Sequence, residues 1–117
     1  NWGFLFGGVA IVDGGQPVSN QWTHLALVRD AGLATFYVNG RPATTFGGAP
    51  GVPTGGFGIG GNPVFADFEE FDGLIDEVRV FTFAPGAFSV SDLNLAAQLP
   101  VPAQDFRGAV LMGVLLV

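Results

Sequence analysis

The stretch that decides the fold is Trp22-Thr23-His24-Leu25-Ala26-Leu27-Val28-Arg29-Asp30, which ends at the turn-forming pair Ala31-Gly32. Side chains alternate between the two faces of a strand, so the even-numbered residues share one face and the odd-numbered residues share the other. Both faces carry apolar side chains. The pattern therefore predicts a strand with close neighbours on both sides and at least one fully buried face.

The second informative feature is Asn39-Gly40, which separates two β-rich runs at residues 34–38 and 42–46. A two-residue type I′ loop requires positive φ at both central positions, and Asn followed by Gly adopts that conformation at low cost. The pattern predicts a β-hairpin that follows the Trp22–Asp30 strand directly.

Other segments extend this β-rich pattern. Residues 4–12 read as a strand or a strand pair interrupted by Gly7-Gly8, and residues 55–61 as a glycine-dense strand candidate. Residues 73–83 predict the best long strand, with Asp76 on one face and with Glu77 and Arg79 on the other. The run from Gly56 to Gly61 also satisfies G-x-G-x-x-G, but no helix signal follows it, so dinucleotide binding is not predicted.

One helix is predicted, over Ser89–Leu99. Ser89 is a suitable N-cap, and Asp92 stands three residues later as its capping-box partner. Pro100 and Pro102 end the helix, because proline cannot continue it.

The composition restricts the classes of function. The 117 residues suit one domain, and 49% of them are hydrophobic, with Gly 19 and Pro 8. This mixture favours short strands joined by turns. The net charge is −6, with four basic residues against ten acidic ones, so the basic surface needed for nucleic acid is absent. No cysteine occurs, which excludes disulfides and thiolate chemistry.

Four motifs in order resemble the laminin G-like, or concanavalin A-like lectin/glucanase, family. They are the strand from Trp22, the run Phe36-Tyr37-Val38-Asn39-Gly40, the run Phe57-Gly58-Ile59-Gly60-Gly61 and the stretch 73–81. The resemblance covers roughly residues 20–97. It implies an all-β, antiparallel, two-sheet jelly-roll sandwich with one short C-terminal helix, here assigned to residues 1–99.

The chain departs from the family at two places. Family members have several strands before the Trp-x-His strand, whereas here about 20 residues precede Trp22, so we expect a sandwich that lacks some N-terminal strands. Residues 100–117 are assigned to a proline-containing linker and an apolar tail. This tail resembles a bacterial C-terminal sorting signal without its basic cluster, or alternatively forms a final edge strand. The apolar run 109–117 is too short to cross a bilayer, which takes ~20 residues.

Candidate site residues lie in the predicted loops. Calcium prefers several carboxylate and carbonyl oxygens, and we assign Asp13, Asp67 and Asp72 as its ligands, the alternative being solvated turns. Asn62 and Trp2 are assigned to ligand binding, Trp2 because an aromatic ring outside a strand can stack on a sugar. The single histidine, His24, is interpreted as a structural core residue.

An enzyme is not predicted. The family's glucanases carry carboxylates on one face of one strand, whereas here Asp76 and Glu77 are adjacent and point to opposite faces. The resemblance implies an extracellular or cell-surface, bacterial secreted module that binds glycans or surface proteins without catalysis. The alternative is a self-assembling subunit, in a filament or surface layer. Neighbouring chains would complete it through exposed strand edges or the 109–117 tail.

Overall fold

The computed structural model of the protein describes residues 1–6, 9–11, 13–48, 56, 58–61, 70–93, 95 and 109–114. Its strands are β1 (Phe4–Phe6), β2 (Val9–Ile11), β3 (Trp22–Asp30), β4 (Leu33–Val38), β5 (Arg41–Gly47), β6 (Leu74–Arg79) and β7 (Ala109–Val114). A short 3-10 helix spans Val90–Leu93. The predicted all-β class is confirmed.

The strands form two sheets. β1 and β2 make a two-stranded sheet, and the larger sheet has the order β5-β4-β3-β7-β6. β3, β4 and β5 pair antiparallel, as predicted, whereas β7 runs parallel to both β3 and β6. The sheet is therefore mixed, because β7 lies between β3 and β6 and runs in the same direction as both.

Apolar residues cover the larger sheet on both sides, as the pattern of β3 predicts. We call the side with Ala26 and Val28 the even face; there they pack with Leu93 and with Tyr37, Phe81, Phe83, Phe88 and Leu95. On the odd face, Leu25 and Phe36 pack with Trp2, Phe4, Leu27, Val38 and Phe71. Each fully buried large side chain stabilises the fold by about 1.5–3 kcal/mol.

The predicted Asn-Gly hairpin is confirmed. Asn39 and Gly40 have φ values of 51° and 73°, the positive pair that a type I′ turn requires. The amide of Asn39 donates to the carbonyl of His24 at 2.8 Å, and the Asn39 Oδ1 accepts the amide of His24 at 2.9 Å. The side chain of Asn39 thus continues the β3–β4 ladder past the end of β4.

β6 is shorter than the predicted strand over residues 73–83 and contains a bulge. Its pairing with β7 passes from Asp76 opposite Leu111 to Arg79 opposite Gly113, so two residues oppose one. Glu77, in the bulge, has a φ of 54°. The predicted alternation is therefore wrong beyond Asp76: it puts Asp76 and Arg79 on opposite faces, whereas their partners Leu111 and Gly113 share one face of β7.

The predicted helix is present only as the short 3-10 turn, and one of the two hydrogen bonds of its predicted capping box is formed. The Ser89 hydroxyl accepts the amide of Ser91 at 3.4 Å instead of the amide of Asp92. The amide of Ser89 donates to Asp92 Oδ2 at 2.7 Å, and the amide of Asp92 donates to the carbonyl of Ser89 at 2.9 Å. Positions 94 and 96–99 of the predicted helix lie outside the described residues.

The glycine-dense segment and the C-terminal tail differ from their predictions. Residues 59–61 are bends, so the glycine-dense strand is not formed there. The tail contributes residues 109–114 to the interior of the sheet, not to its edge. The division at residues 99 and 100 and the missing N-terminal strands stay predictions. Within the described residues, no helix is long and apolar enough to cross a membrane.

Candidate functional site

Three segments that are distant in the sequence meet at Trp2, on the odd face of the larger sheet. The amide of Trp2 donates to the carbonyl of Gly15 at 2.7 Å, and the amide of Gly14 donates to the carbonyl of Trp2 at 2.9 Å. These bonds extend the β1–β2 hairpin beyond its strands. They hold Asp13, the neighbour of Gly14, next to the Trp2 segment.

The third segment reaches Trp2 through an aromatic contact. The rings of Trp2 and Phe71 lie with centroids 6.4 Å apart and planes tilted by 31°. Asp72 follows Phe71 directly. The amide of Phe71 in turn donates to the carbonyl of Gly60 at 2.8 Å, which ties the bend at residues 59–61 to the same place. We call Trp2, Asp13, Gly14, Phe71 and Asp72 the Trp2 cluster.

Gly14 is what allows this close approach. A Cβ atom at this position would lie 2.7 Å from the Trp2 Cβ and 2.7 Å from Cε1 of Phe36. No side chain fits in that space, so only glycine lets the turn pack against the core. The cluster is therefore seated directly on the Leu25–Phe36 core.

The predicted site residues are only partly brought together. Trp2 is half-buried, while Asp13 and Asp72 are exposed on segments that contact the Trp2 segment. Asn62 and Asp67 lie outside the described residues. Among the residues that the structure describes, no group of three histidines or carboxylates could hold a metal ion.

His24 has the environment of a core residue. It is 4% exposed, and its Nδ1 has no hydrogen-bond partner within the described chain. Burial lowers the pKa of His24 below its ordinary value, and the positive charge of Arg79 lowers it further. The sequence did not reveal this neighbour, because only the β6 bulge puts Arg79 on the face of His24.

The two adjacent carboxylates of β6 serve the strand itself. Asp76 Oδ1 accepts the amide of Glu77 at 2.8 Å, and the Glu77 carboxylate pairs with the Arg79 guanidinium. Both side chains are exposed. The Asp76 carboxylate is thus engaged by the backbone of β6, and the Glu77 carboxylate by a side chain of the same strand.

Comparison with known proteins gives one family. Residues 2–91 match a laminin G model described as the concanavalin A-like lectin/glucanases superfamily. Curated proteins and solved structures give no significant match. Laminin G-like domains of this superfamily are commonly carbohydrate- or protein-binding modules, are generally non-catalytic and are typically extracellular. With most of its length matched, the chain belongs to the laminin G-like domains of the concanavalin A-like lectin/glucanase superfamily.

Proposed function

We propose that this chain is a non-catalytic, extracellular recognition module that binds glycans or cell-surface proteins through the Trp2 cluster. The observation that carries the proposal is the meeting of a half-exposed indole with two segments that each present an exposed carboxylate. The family supports it, because domains of this superfamily commonly bind carbohydrate or protein.

The chemistry of the cluster suits such ligands. An aromatic face packs against the apolar face of a sugar or against an apolar side chain. Carboxylates accept hydrogen bonds from hydroxyl and amide groups. Asn62 follows the bend that Phe71 holds through Gly60, and we propose that Asn62 adds an amide to the same surface.

The test is a glycan array followed by calorimetry on the glycans that bind. We expect Trp2→Phe and Asp72→Asn each to weaken binding about tenfold, which corresponds to about 1.4 kcal/mol. Asp76→Asn is the matched control, since it removes an equivalent exposed carboxylate from a different part of the sheet and should bind normally. Equal affinities for all four proteins would contradict the proposal.

Calcium is a separate proposal. Asp13 and Asp72 would need Asp67 and further oxygen atoms, because calcium takes six to eight ligands. Calorimetric titration of the protein with calcium chloride, after treatment with a chelator, tests it directly. Heat of binding that Asp72→Asn abolishes would support the site, and no heat in the wild-type protein would exclude it.

Self-assembly is the second candidate, and the placement of β7 favours it. β7 lies between β3 and β6 and joins them through pairing that is remote in sequence. The equivalent segment of a second copy could occupy the same place. Light scattering over a dilution series tests this, since a mass that stays monomeric at every concentration would exclude assembly.

A further inference from the structure

A second surface lies on the opposite face of the larger sheet. Arg79, Phe81, Thr82, Phe83, Ala87 and Asp92 line an open groove of about 450 Å³, which we call the Arg79 groove. Its volume falls within the range of about 300–1,000 Å³ that is usual for small-molecule sites. Phe81 and Phe83 pack on the even-face core, whereas Trp2 packs on the odd-face core, so this groove is separate from the Trp2 cluster.

The aromatic side chains of the groove pack against one another and against the even-face core. Phe83 lies with its ring centroid 6.5 Å from that of Phe81 and 5.5 Å from that of Phe88. The adjoining turn is pinned to β3, because the amide of Gly86 donates to Asp30 Oδ1 at 2.7 Å. Phe81 and Phe83 remain half-buried, so each ring keeps a part that solvent reaches. Such preorganised rings lose little entropy when a ligand packs against them.

The polar lining carries one positive and one negative side chain. Arg79 is 39% exposed and donates through Nη2 to Glu77, which orients a guanidinium that has five N–H donors in all. Asp92 Oδ2 accepts the amide of Ser89 at 2.7 Å, which orients a carboxylate with further acceptor capacity. Thr82 is exposed and adds a hydroxyl group. The groove thus offers both donors and acceptors from side chains that are already positioned.

We propose that the Arg79 groove binds a segment of a neutral saccharide. The lining carries one guanidinium, Arg79, and one carboxylate, Asp92, so it has no net charge with which to select an anion or a cation, and the net charge of −6 of the whole chain disfavours anions. A neutral polyhydroxyl ligand uses both charges, because its hydroxyl groups accept from the guanidinium and donate to the carboxylate. Its C–H-rich face packs on Phe81 and Phe83. The molecule then has two recognition surfaces, one on each face of the sheet.

The experiment is a nuclear magnetic resonance titration of ¹⁵N-labelled protein. The probes are the neutral hexasaccharides of cellulose, laminarin and chitin, with hexagalacturonate as the anionic counterpart. We expect at least one neutral probe to shift the amide signals of the groove residues, and hexagalacturonate to leave them unmoved. Groove signals that respond to hexagalacturonate alone, or to no probe, would overturn the proposal. Signals that move only in the Trp2 cluster would overturn it too, while supporting the proposed function.

Two rim variants test the assigned contacts. Arg79→Gln removes the charged donor, and Asp92→Asn removes the charge but leaves an oxygen that can accept the Ser89 amide. We expect each to weaken binding of the responding probe at least tenfold, with the fold checked by an unchanged pattern of the remaining amide signals. Arg41→Gln, at an exposed position of β5, is the control and should bind normally. Normal binding by both rim variants would overturn the assignment.

Discussion

At the scale of the single residue, His24 illustrates how a polar side chain can serve the core. Its backbone makes the bonds to Asn39, while its ring lies buried beside Arg79 with an Nδ1 that has no partner among the described residues. Burial first, and then the guanidinium, disfavours the charged form and lowers the pKa of His24 below 6.5. A positive charge on this ring therefore destabilises the folded state.

The consequence is an acid-sensitive stability. Above pH 6.5 the ring is neutral in both states, so the His24 contribution to stability is fully present. Below that pH the unfolded chain binds the proton more readily, and stability falls by at most about 1.4 kcal/mol per pH unit for one group. Urea unfolding from about pH 8 to about pH 5 should show this loss in the wild-type protein relative to His24→Gln. Parallel pH profiles for the two proteins would refute it.

Arg79→Gln separates the two causes of the shift. The variant removes the nearby positive charge and leaves the burial of His24 unchanged, so we expect a smaller acid loss that does not vanish. The pH profile of Arg79→Gln should therefore lie between those of the wild-type protein and His24→Gln. A profile identical to that of the wild-type protein would show that burial alone lowers the pKa of His24.

At the scale of the element, the β4–β5 hairpin depends on Asn39 in two ways. Its φ of 51° suits Asn or Gly, and its Oδ1 accepts the amide of His24. Asn39→Gly loses only the hydrogen bond, worth about 1 kcal/mol. Asn39→Ala loses the bond and strains the left-handed backbone by a further ~1–2 kcal/mol. The urea concentration at the unfolding midpoint should thus be lower for Asn39→Ala than for Asn39→Gly. The reverse order would argue against a strained turn.

Local signals account for the elements that the sequence predicts well. The alternation of β3 and the Asn-Gly turn depend on residues close together in the chain, and both are confirmed. The Ser89–Asp92 capping box is equally local, and one of its two hydrogen bonds is formed. The bulge in β6 has no comparable signal. Glu77 has a positive φ, which glutamate rarely adopts, and nothing in the sequence of residues 73–83 indicates it. The sequence therefore predicts an uninterrupted strand there. The bulge is set by pairing with β7, which is remote in sequence.

The candidate site could be predicted only in part for the same reason. The sequence predicts Asp13 and Asp72 as loop carboxylates and Trp2 as an aromatic residue outside a strand, but it carries no signal that their segments meet. The meeting depends on the Trp2–Phe71 contact and on the space left by Gly14, both of which are tertiary. The Arg79 groove was missed entirely, because it depends on how the aromatic residues after β6 fold back over the even face.

At the scale of the whole molecule, one sheet separates two surfaces. The Trp2 cluster is seated on the odd-face core and the Arg79 groove on the even-face core, with β3 contributing to both. Two sites on opposite faces cannot engage one short ligand together. If both surfaces bind glycan as proposed, two saccharide chains would be held on opposite sides of the sheet.

The integrity of that sheet depends on β7, and this can be measured. As an interior strand, β7 has backbone amides that bond to β3 or β6, so they should exchange with solvent only when the sheet opens. We expect hydrogen exchange at Ala109–Val114 to be as slow as in β3 and far slower than in the exposed segment 16–20. Leu111→Pro should abolish this protection, because proline has no amide hydrogen to donate to the ladder of an interior strand.

The dependence of β7 hydrogen exchange on protein concentration shows whether the strand between β3 and β6 comes from the same chain or from a second copy. If β7 pairs within its own chain, its protection is unchanged on dilution, because closure of the sheet is then intramolecular. If a second copy donates the strand, protection falls on dilution together with the mass measured by light scattering. Fast exchange at every concentration would contradict the interior placement itself. It would leave β3 and β6 as open edges, and those are the edges on which the self-assembly candidate depends.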